Sequence, residues 1–322
     1  MRDCVDCGGS LPSQSNFCPH CGLRAAKAGL PVPGDLVGRY RVIRRIGQGG
    51  MATVFQGVDE ELGRQVALKV LTAETFEEDE ARARFRREAQ ITSNFDHPNA
   101  VTVYDYLVTG GGYPCLVLEL VLGVPLRAAL QAGPFAAARA EAIANQVLDV
   151  LVEAESLGLV HRDITSSNIL LVGAPERERV KLLDFGIAKP VGPAKAGPLT
   201  FVGQVVGSPT YMSPEQCRGE DLDSRSDLYS LGIVLYEALA GTVPFVGDSH
   251  VEILRQQIHD PPPVLPPHVP RRLADVVYRA LAKDPNDRYA EASSFQAALA
   301  AGDQIELTTA RACQLEPQAG GA

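Results

Sequence analysis

Hydrophobic and polar positions change their period twice along the chain. From Tyr40 to Leu71, "YRVIRRIGQGGMATVFQGVDEELGRQVALKVL" carries short alternating and β-branched runs. Thr53-Val54-Phe55 and Val66-Ala67-Leu68 flank a turn at Gly63. This predicts strand, glycine turn, strand, hairpin, strand. The next segment, "EEDEARARFRREAQITSNF", puts Phe85, Glu88, Ala89 and Thr92 on one helical face. Acidic residues at its start and arginines after them suit the helix dipole. "VTVYDYLV" and "PCLVLELV" predict two more strands, joined at Gly110 to Gly112. Beyond Gly123 the period becomes helical. "AAARAEAIANQVLDVLVEAESLG", "SDLYSLGIVLYEALAG", "HVEILRQQIH" and "RRLADVVYRALA" predict helices separated by Pro/Gly joints. A strand-rich part of about 80 residues therefore precedes a helix-rich part of about 180, an α+β, two-lobe arrangement.

The flanks differ in texture. "AKAGLPVPGD" is rich in Pro and Gly and predicts a linker over 26–39. The last residues, 300–322, ending "PQAGGA", predict a frayed tail. No internal repeat is present. With hydrophobic residues at 45% and charged residues at 21%, a sizeable core can form and global disorder is excluded. The formal net charge of −9 argues against phosphate-backbone binding, so no nucleic-acid partner is expected. No basic-then-apolar leader opens the chain, and "LYSLGIVLYEALAGTVPF" is interrupted by Glu237. No membrane span and a cytoplasmic protein are the expectation.

Four of the seven cysteines lie in the first 21 residues, as Cys4-x2-Cys7 and Cys18-x2-Cys21. Two such pairs can close four thiolates around one tetrahedral Zn²⁺ with no open position, a structural site. Gly8 and Gly22 permit tight turns toward the metal, and His20 is redundant beside the cysteines. Residues 1–25 are thus expected to form a zinc ribbon.

Four further motifs carry chemistry. The glycine turn Gly47-x-Gly49-Gly50-x-Ala52-x-Val54 can bring backbone N–H groups to phosphates. Lys69 sits inside the apolar strand Val66-Ala67-Leu68 and needs an anionic partner if buried; Glu88 on the following helix can supply it. "HRDITSSN" spaces Asp163 and Asn168 five residues apart, a carboxylate for a proton and an amide for a metal. Asp184-Phe185-Gly186 follows the apolar "VKLL".

In this order and spacing, the motifs make residues 40–299 resemble a protein kinase domain of the eukaryotic-like serine/threonine kind found in bacteria, with an amino-terminal lobe over 40–120 and a carboxy-terminal lobe over 121–299. "GSPTYMSPE" resembles the end of an activation segment, "SDLYSLG" the start of a large buried helix, and Asp284-Pro285 to Arg288 the late motif whose arginine pairs with Glu215. The resemblance implies ATP and Mg²⁺ (or Mn²⁺) as cofactors. Ile46, Gly47, Gln48, Gly49, Gly50, Met51, Ala52, Thr53 and Val54 would cover the nucleotide, and Ala67 and Leu170 would complete the adenine site. Leu118 falls at the gatekeeper position, and Glu119 and Val121 would present backbone groups to the base. Lys69, paired with Glu88, would contact phosphates, Asp163 would handle the hydroxyl proton, and Asn168 and Asp184 would hold the metal. Thr200 would be a phosphorylated threonine in the activation loop, with Arg162 as its partner.

The chain departs from the family pattern at several positions. Thr165 replaces the catalytic-loop lysine, Ser208 a threonine, Pro125 a polar ribose contact, and Ala52 the third loop glycine. Thr92 falls where an apolar residue usually stacks behind Glu88. The expected function is phosphoryl transfer from ATP to Ser/Thr hydroxyls of proteins, with self-association for autophosphorylation in trans. The alternative is a pseudokinase that binds ATP or acts as a scaffold.

Overall fold

The computed structural model describes residues 2–3, 9–11, 18–21, 30–49, 52–71, 89, 95–183 and 209–301. Glu88, Thr92, Asp184 to Ser208 and the tail beyond 301 lie outside the described residues; Ala89 is helical and buried. The chain divides into two compact units, 1–122 and 123–322.

In the first unit, β1 (Arg2–Asp3) and β2 (Ser10–Leu11) form a small antiparallel pair. A six-stranded antiparallel sheet follows. Its strands are β3 (Leu36–Val37), β4 (Tyr40–Gln48), β5 (Ala52–Asp59), β6 (Gln65–Leu71), β7 (Val103–Val108) and β8 (Pro114–Glu119), in the order β3-β4-β5-β6-β8-β7. Alternation sends Tyr40, Val42, Phe55, Val66, Leu68, Val70, Cys115 and Val117 to one buried face. The β5–β6 turn is built around Asp59. Its fully buried carboxylate accepts the N–H groups of Glu61 and Leu62 and pairs with Arg39 at 3.2 Å. Gly63 closes the turn at φ +68°.

The linker expected over 26–39 is shorter than the sequence suggests. Leu30 and Val37 are buried in the sheet's core, and Leu36–Val37 pairs with Tyr40–Arg41 as an edge strand. The Pro/Gly-rich composition marks the turns around this strand, whereas its burial comes from tertiary pairing.

The second unit holds a three-stranded sheet, β9 (Val124–Pro125), β10 (Ile169–Val172) and β11 (Arg179–Leu182), in the order β11-β10-β9. Its helices are α1 (Leu126–Ala129), α2 (Ala137–Ser156), α3 (Pro214–Arg218), α4 (Ser224–Ala240), α5 (His250–His259) and α6 (Arg271–Ala280); residues 292–301 are also helical. Helix α2 buries Ala140, Ile143, Ala144, Val147, Leu148 and Leu151, the i, i+3, i+4, i+7 stripe of an amphipathic helix. Helix α4 is buried on every side from Ser226 to Leu239 and forms the centre of the unit. It crosses α6 so closely that a Cβ on Gly232 would lie 2.9 Å from the Cβ of Ala280. The four helices expected beyond Gly123 are all present, and the helix expected around Glu88 lies, but for Ala89, outside the described residues.

One buried ion pair ties α3 to the segment after α6. Arg288 and Glu215 bond in a two-pronged geometry, Nη1 to Oε1 at 2.7 Å and Nη2 to Oε2 at 2.8 Å. The remaining Arg288 donors reach the carbonyls of Ala282, Arg225 and Lys283, so all five of its N–H groups are used. This matches the pairing the sequence motif implies. Burial alone would raise the Glu215 pKa. The Arg288 hydrogen bonds and charge, aided by the Ser226 hydroxyl, outweigh it and bring the group from 4.5 to about 2. Because the folded value is depressed, the contribution to stability is present above pH 4.5 and is lost as pH falls from there toward 2. The shift corresponds to something on the order of 3 kcal/mol. Urea denaturation of wild type and Glu215→Gln should show a gap of a few kcal/mol at pH 7 that narrows between pH 4.5 and 3. A gap independent of pH contradicts this account.

Candidate active site

The loop from His161 to Asn168 links α2 to β10, and its shape is set from beneath. Asp227, on the buried helix α4, accepts the N–H of His161 at 2.6 Å on one carboxylate oxygen and the N–H of Arg162 at 2.7 Å on the other. These bonds hold Arg162 at φ +66°, a left-handed conformation that costs a non-glycine residue about 1 kcal/mol or more. Burial pushes the Asp227 carboxyl up to about 7, against the pull of the N–H bonds of His161 and Arg162.

His161 is fully buried and fixes the next turn. Its Nδ1 accepts the Asp163 N–H at 3.2 Å, which leaves Nε2 as the donor to the Leu183 carbonyl at 2.9 Å. Asp163 is thereby oriented from its own backbone. Asn168 then closes the loop: its side-chain N–H groups reach the Asp163 carbonyl and the Asp163 carboxylate, both at 2.9 Å. The Asn168 N–H meets the Thr165 carbonyl at 3.0 Å and the Thr165 hydroxyl at 3.3 Å. Thr165, in place of the family's lysine, thus serves the turn with its hydroxyl. Leu170 follows on β10, half-exposed and opposite Pro125 and Lys181.

In the first unit the register gathers a different group. Lys69 pairs with Val54 on one side and Leu116 on the other, and Ala67 pairs with Gln56 and Leu118. Cross-strand partners share a face, so Val54, Ala67, Lys69 and Leu118 lie together on the side opposite the Phe55–Val66–Leu68 core. Gly47 lies opposite Val54, Ile46 is exposed, and the glycine turn is closed by the Gly49 N–H bonded to the Ala52 carbonyl at 2.8 Å. Thr53 behaves otherwise: it pairs with Val70 and is buried on the core face. Glu119 pairs with Val66 and its N–H donates to the Thr102 carbonyl, so its side chain also leaves the Lys69 face. Val121 is half-buried just beyond β8.

The structure therefore brings Asp163 and Asn168 into contact in one unit and aligns Val54, Ala67, Lys69 and Leu118 in the other. Gly50, Met51, Glu88, Asp184, Cys4 and Cys7 lie outside the described residues. The sequence reading did not single out Asp227 as the loop's anchor. A signal existed: an acid inside the apolar run "SDLYSLGIVLY" must be buried, and a buried carboxylate needs donors. Ser166, a fully buried residue of the same loop, was marked by no such signal.

Comparison with known proteins agrees with this geometry. Serine/threonine-protein kinase PknA of Mycobacterium tuberculosis is 41% identical over 271 residues, which cover 83% of this chain and 62% of PknA. Serine/threonine-protein kinase pkn3 of Myxococcus xanthus is 39% identical over 278 residues, 83% of this chain and 50% of pkn3. The chain thus matches between half and two thirds of the length of these relatives. Among solved structures, the PknI kinase domain of Mycobacterium tuberculosis superposes with a TM-score of 0.65 at 27% identity, covering 84% of this chain and 98% of that domain. The protein kinase domain profile matches residues 40–300, taking in both the sheet that carries Lys69 and the loop that carries Asp163. By that match the chain belongs to the protein kinase domain family and has its two-lobe fold, a β-sheet lobe followed by a helical one.

Proposed function

We propose that this chain transfers the γ-phosphoryl group of ATP to serine and threonine hydroxyls of proteins. The observation that carries the reading is the Asp163–Asn168 contact within a loop anchored by Asp227. In this reading Asp163 accepts or orients the proton of the acceptor hydroxyl, and its fixed backbone keeps the carboxylate in one direction. Lys69 draws the α- and β-phosphates and is steadied by Glu88. The glycine turn from Gly47 to Val54 covers the phosphates with backbone N–H groups.

The chemistry of the donor set suits Mg²⁺. Both Asn168 amide hydrogens point at Asp163, which leaves the hard carbonyl oxygen Oδ1 for a cation, with the Asp184 carboxylate as the second donor. When bound, the ion would neutralise charge on the phosphates. Thr165 supplies no charge near the transferring group, so the reading relies on Lys69 as the cationic side chain. Incubation with labelled ATP, Mg²⁺ and a generic protein substrate should give phosphoserine and phosphothreonine. Asp163→Asn should lower the rate by about 10² or more. Transfer no faster than in that variant, or predominant phosphotyrosine, would sink the reading.

The amino-terminal cysteines support a second element of the proposal, a Zn²⁺ held by Cys4, Cys7, Cys18 and Cys21. The Cys18 sulfur is buried and accepts the His20 N–H at 3.4 Å, as a knuckle thiolate would. Gly9 sits so close to His20 that a Cβ would fall 2.6 Å from its ring, so the chain just after Cys7 packs against the residue between Cys18 and Cys21. Elemental analysis of the purified full chain should find zinc bound, and the variant with all four cysteines changed to serine should lose it. A wild-type protein free of zinc after metal-replete expression would overturn the assignment.

A further inference from the structure

Ser166 lies three residues after Asp163 and is fully buried. Its hydroxyl stands 2.8 Å from the phenolic oxygen of Tyr211, which lies 2.6 Å from Oε2 of Glu237. Tyr211 has one proton and gives it to Glu237, so its oxygen accepts from Ser166. The bonds run in one direction, Ser166 to Tyr211 to Glu237, and each polarises the next. Burial, then Glu237, raises the Tyr211 pKa, so the phenol keeps its proton throughout the working range.

The three residues belong to three separate pieces of chain: the Asp163 loop, the turn Pro209–Tyr211 and the central helix α4. That turn is itself firmly held. Ser230 Oγ donates to the Tyr211 carbonyl at 2.8 Å, and Gln257 Nε2 donates to the Pro209 and Thr210 carbonyls at 3.3 and 2.7 Å. On the other side, the Ser166 carbonyl accepts the Arg127 N–H at 2.9 Å. Ser166 is therefore bonded through both its side chain and its backbone, and it is a point where the loop meets the 209–211 turn.

We propose that Ser166 is a positioning residue that couples the Asp163 loop to the segment ending at Tyr211, so that the order of each depends on the other. The coupling is a hydroxyl relay onto a buried carboxyl group. It acts on Asp163 through the three-residue span that Asn168 closes. Only its kinetic arm rests on the kinase reading.

The test uses the full chain with Ser166→Ala, Tyr211→Phe and the double substitution. Hydrogen exchange read by mass spectrometry should rise in peptides covering 161–168 and 209–213 in either single variant, with α6 unchanged. Steady-state assays at saturating acceptor should show kcat about tenfold lower in each single variant with KM for ATP held. The double variant should be no worse than the poorer single one. Faster exchange confined to the substituted segment, a rise spread evenly over α6 as well, or full additivity in kcat overturns the coupling. If wild type transfers no phosphoryl group, the kinase reading fails, and the exchange data alone decide the coupling.

Discussion

One buried carboxylate orders the loop on which the chemistry depends. Asp227 sits on a helix enclosed by apolar neighbours, where an unpaired charge would cost several kcal/mol. The two backbone N–H groups of His161 and Arg162 relieve that cost, and in turn they are fixed at 2.6 and 2.7 Å. The left-handed Arg162 is the local consequence. His161 carries the constraint onward through its ring to Asp163 and Leu183, and Asn168 closes it. The direction of the Asp163 carboxylate thus follows from a residue 64 positions later in the chain.

The same logic recurs through the second unit. Arg288 is buried with all five donors used and a carboxylate facing it, so this charge enters the interior fully hydrogen-bonded. Glu215, Tyr211 and Ser166 lie along the same rule. Buried polar groups here fix the positions of short segments against a helical frame, and the apolar stripe of α2 and the enclosed α4 supply the frame. Replacement of the loop lysine by Thr165 fits this pattern: the hydroxyl is spent on the turn of its own loop.

Much of this was legible in the sequence, for identifiable reasons. The period of apolar residues located β4 to β8 and the four long helices, because burial on one face leaves a mark every two or every three to four residues. The Glu215–Arg288 pair was legible because the resemblance to kinases named both partners. Less legible was anything decided by tertiary pairing. The Leu36–Val37 strand is too short to show a period, and its surroundings of Pro and Gly read as linker. Thr53 and Val54 face opposite ways by the alternation of their strand, but which of them meets the core is settled by the pairing of Thr53 with Val70. The relay from Ser166 joins residues 45 and 26 positions apart, a separation that leaves no local signature.

The claim at the centre is that Asp227 holds the loop backbone. Native-state hydrogen exchange by NMR at the His161 and Arg162 amides tests it most directly. If the carboxylate anchors both, these two amides exchange only on global unfolding, as slowly as the amides in the middle of α4, and Asp227→Ala brings them to the rate of exposed loop amides. Rapid exchange at His161 and Arg162 in the wild-type protein would contradict the account.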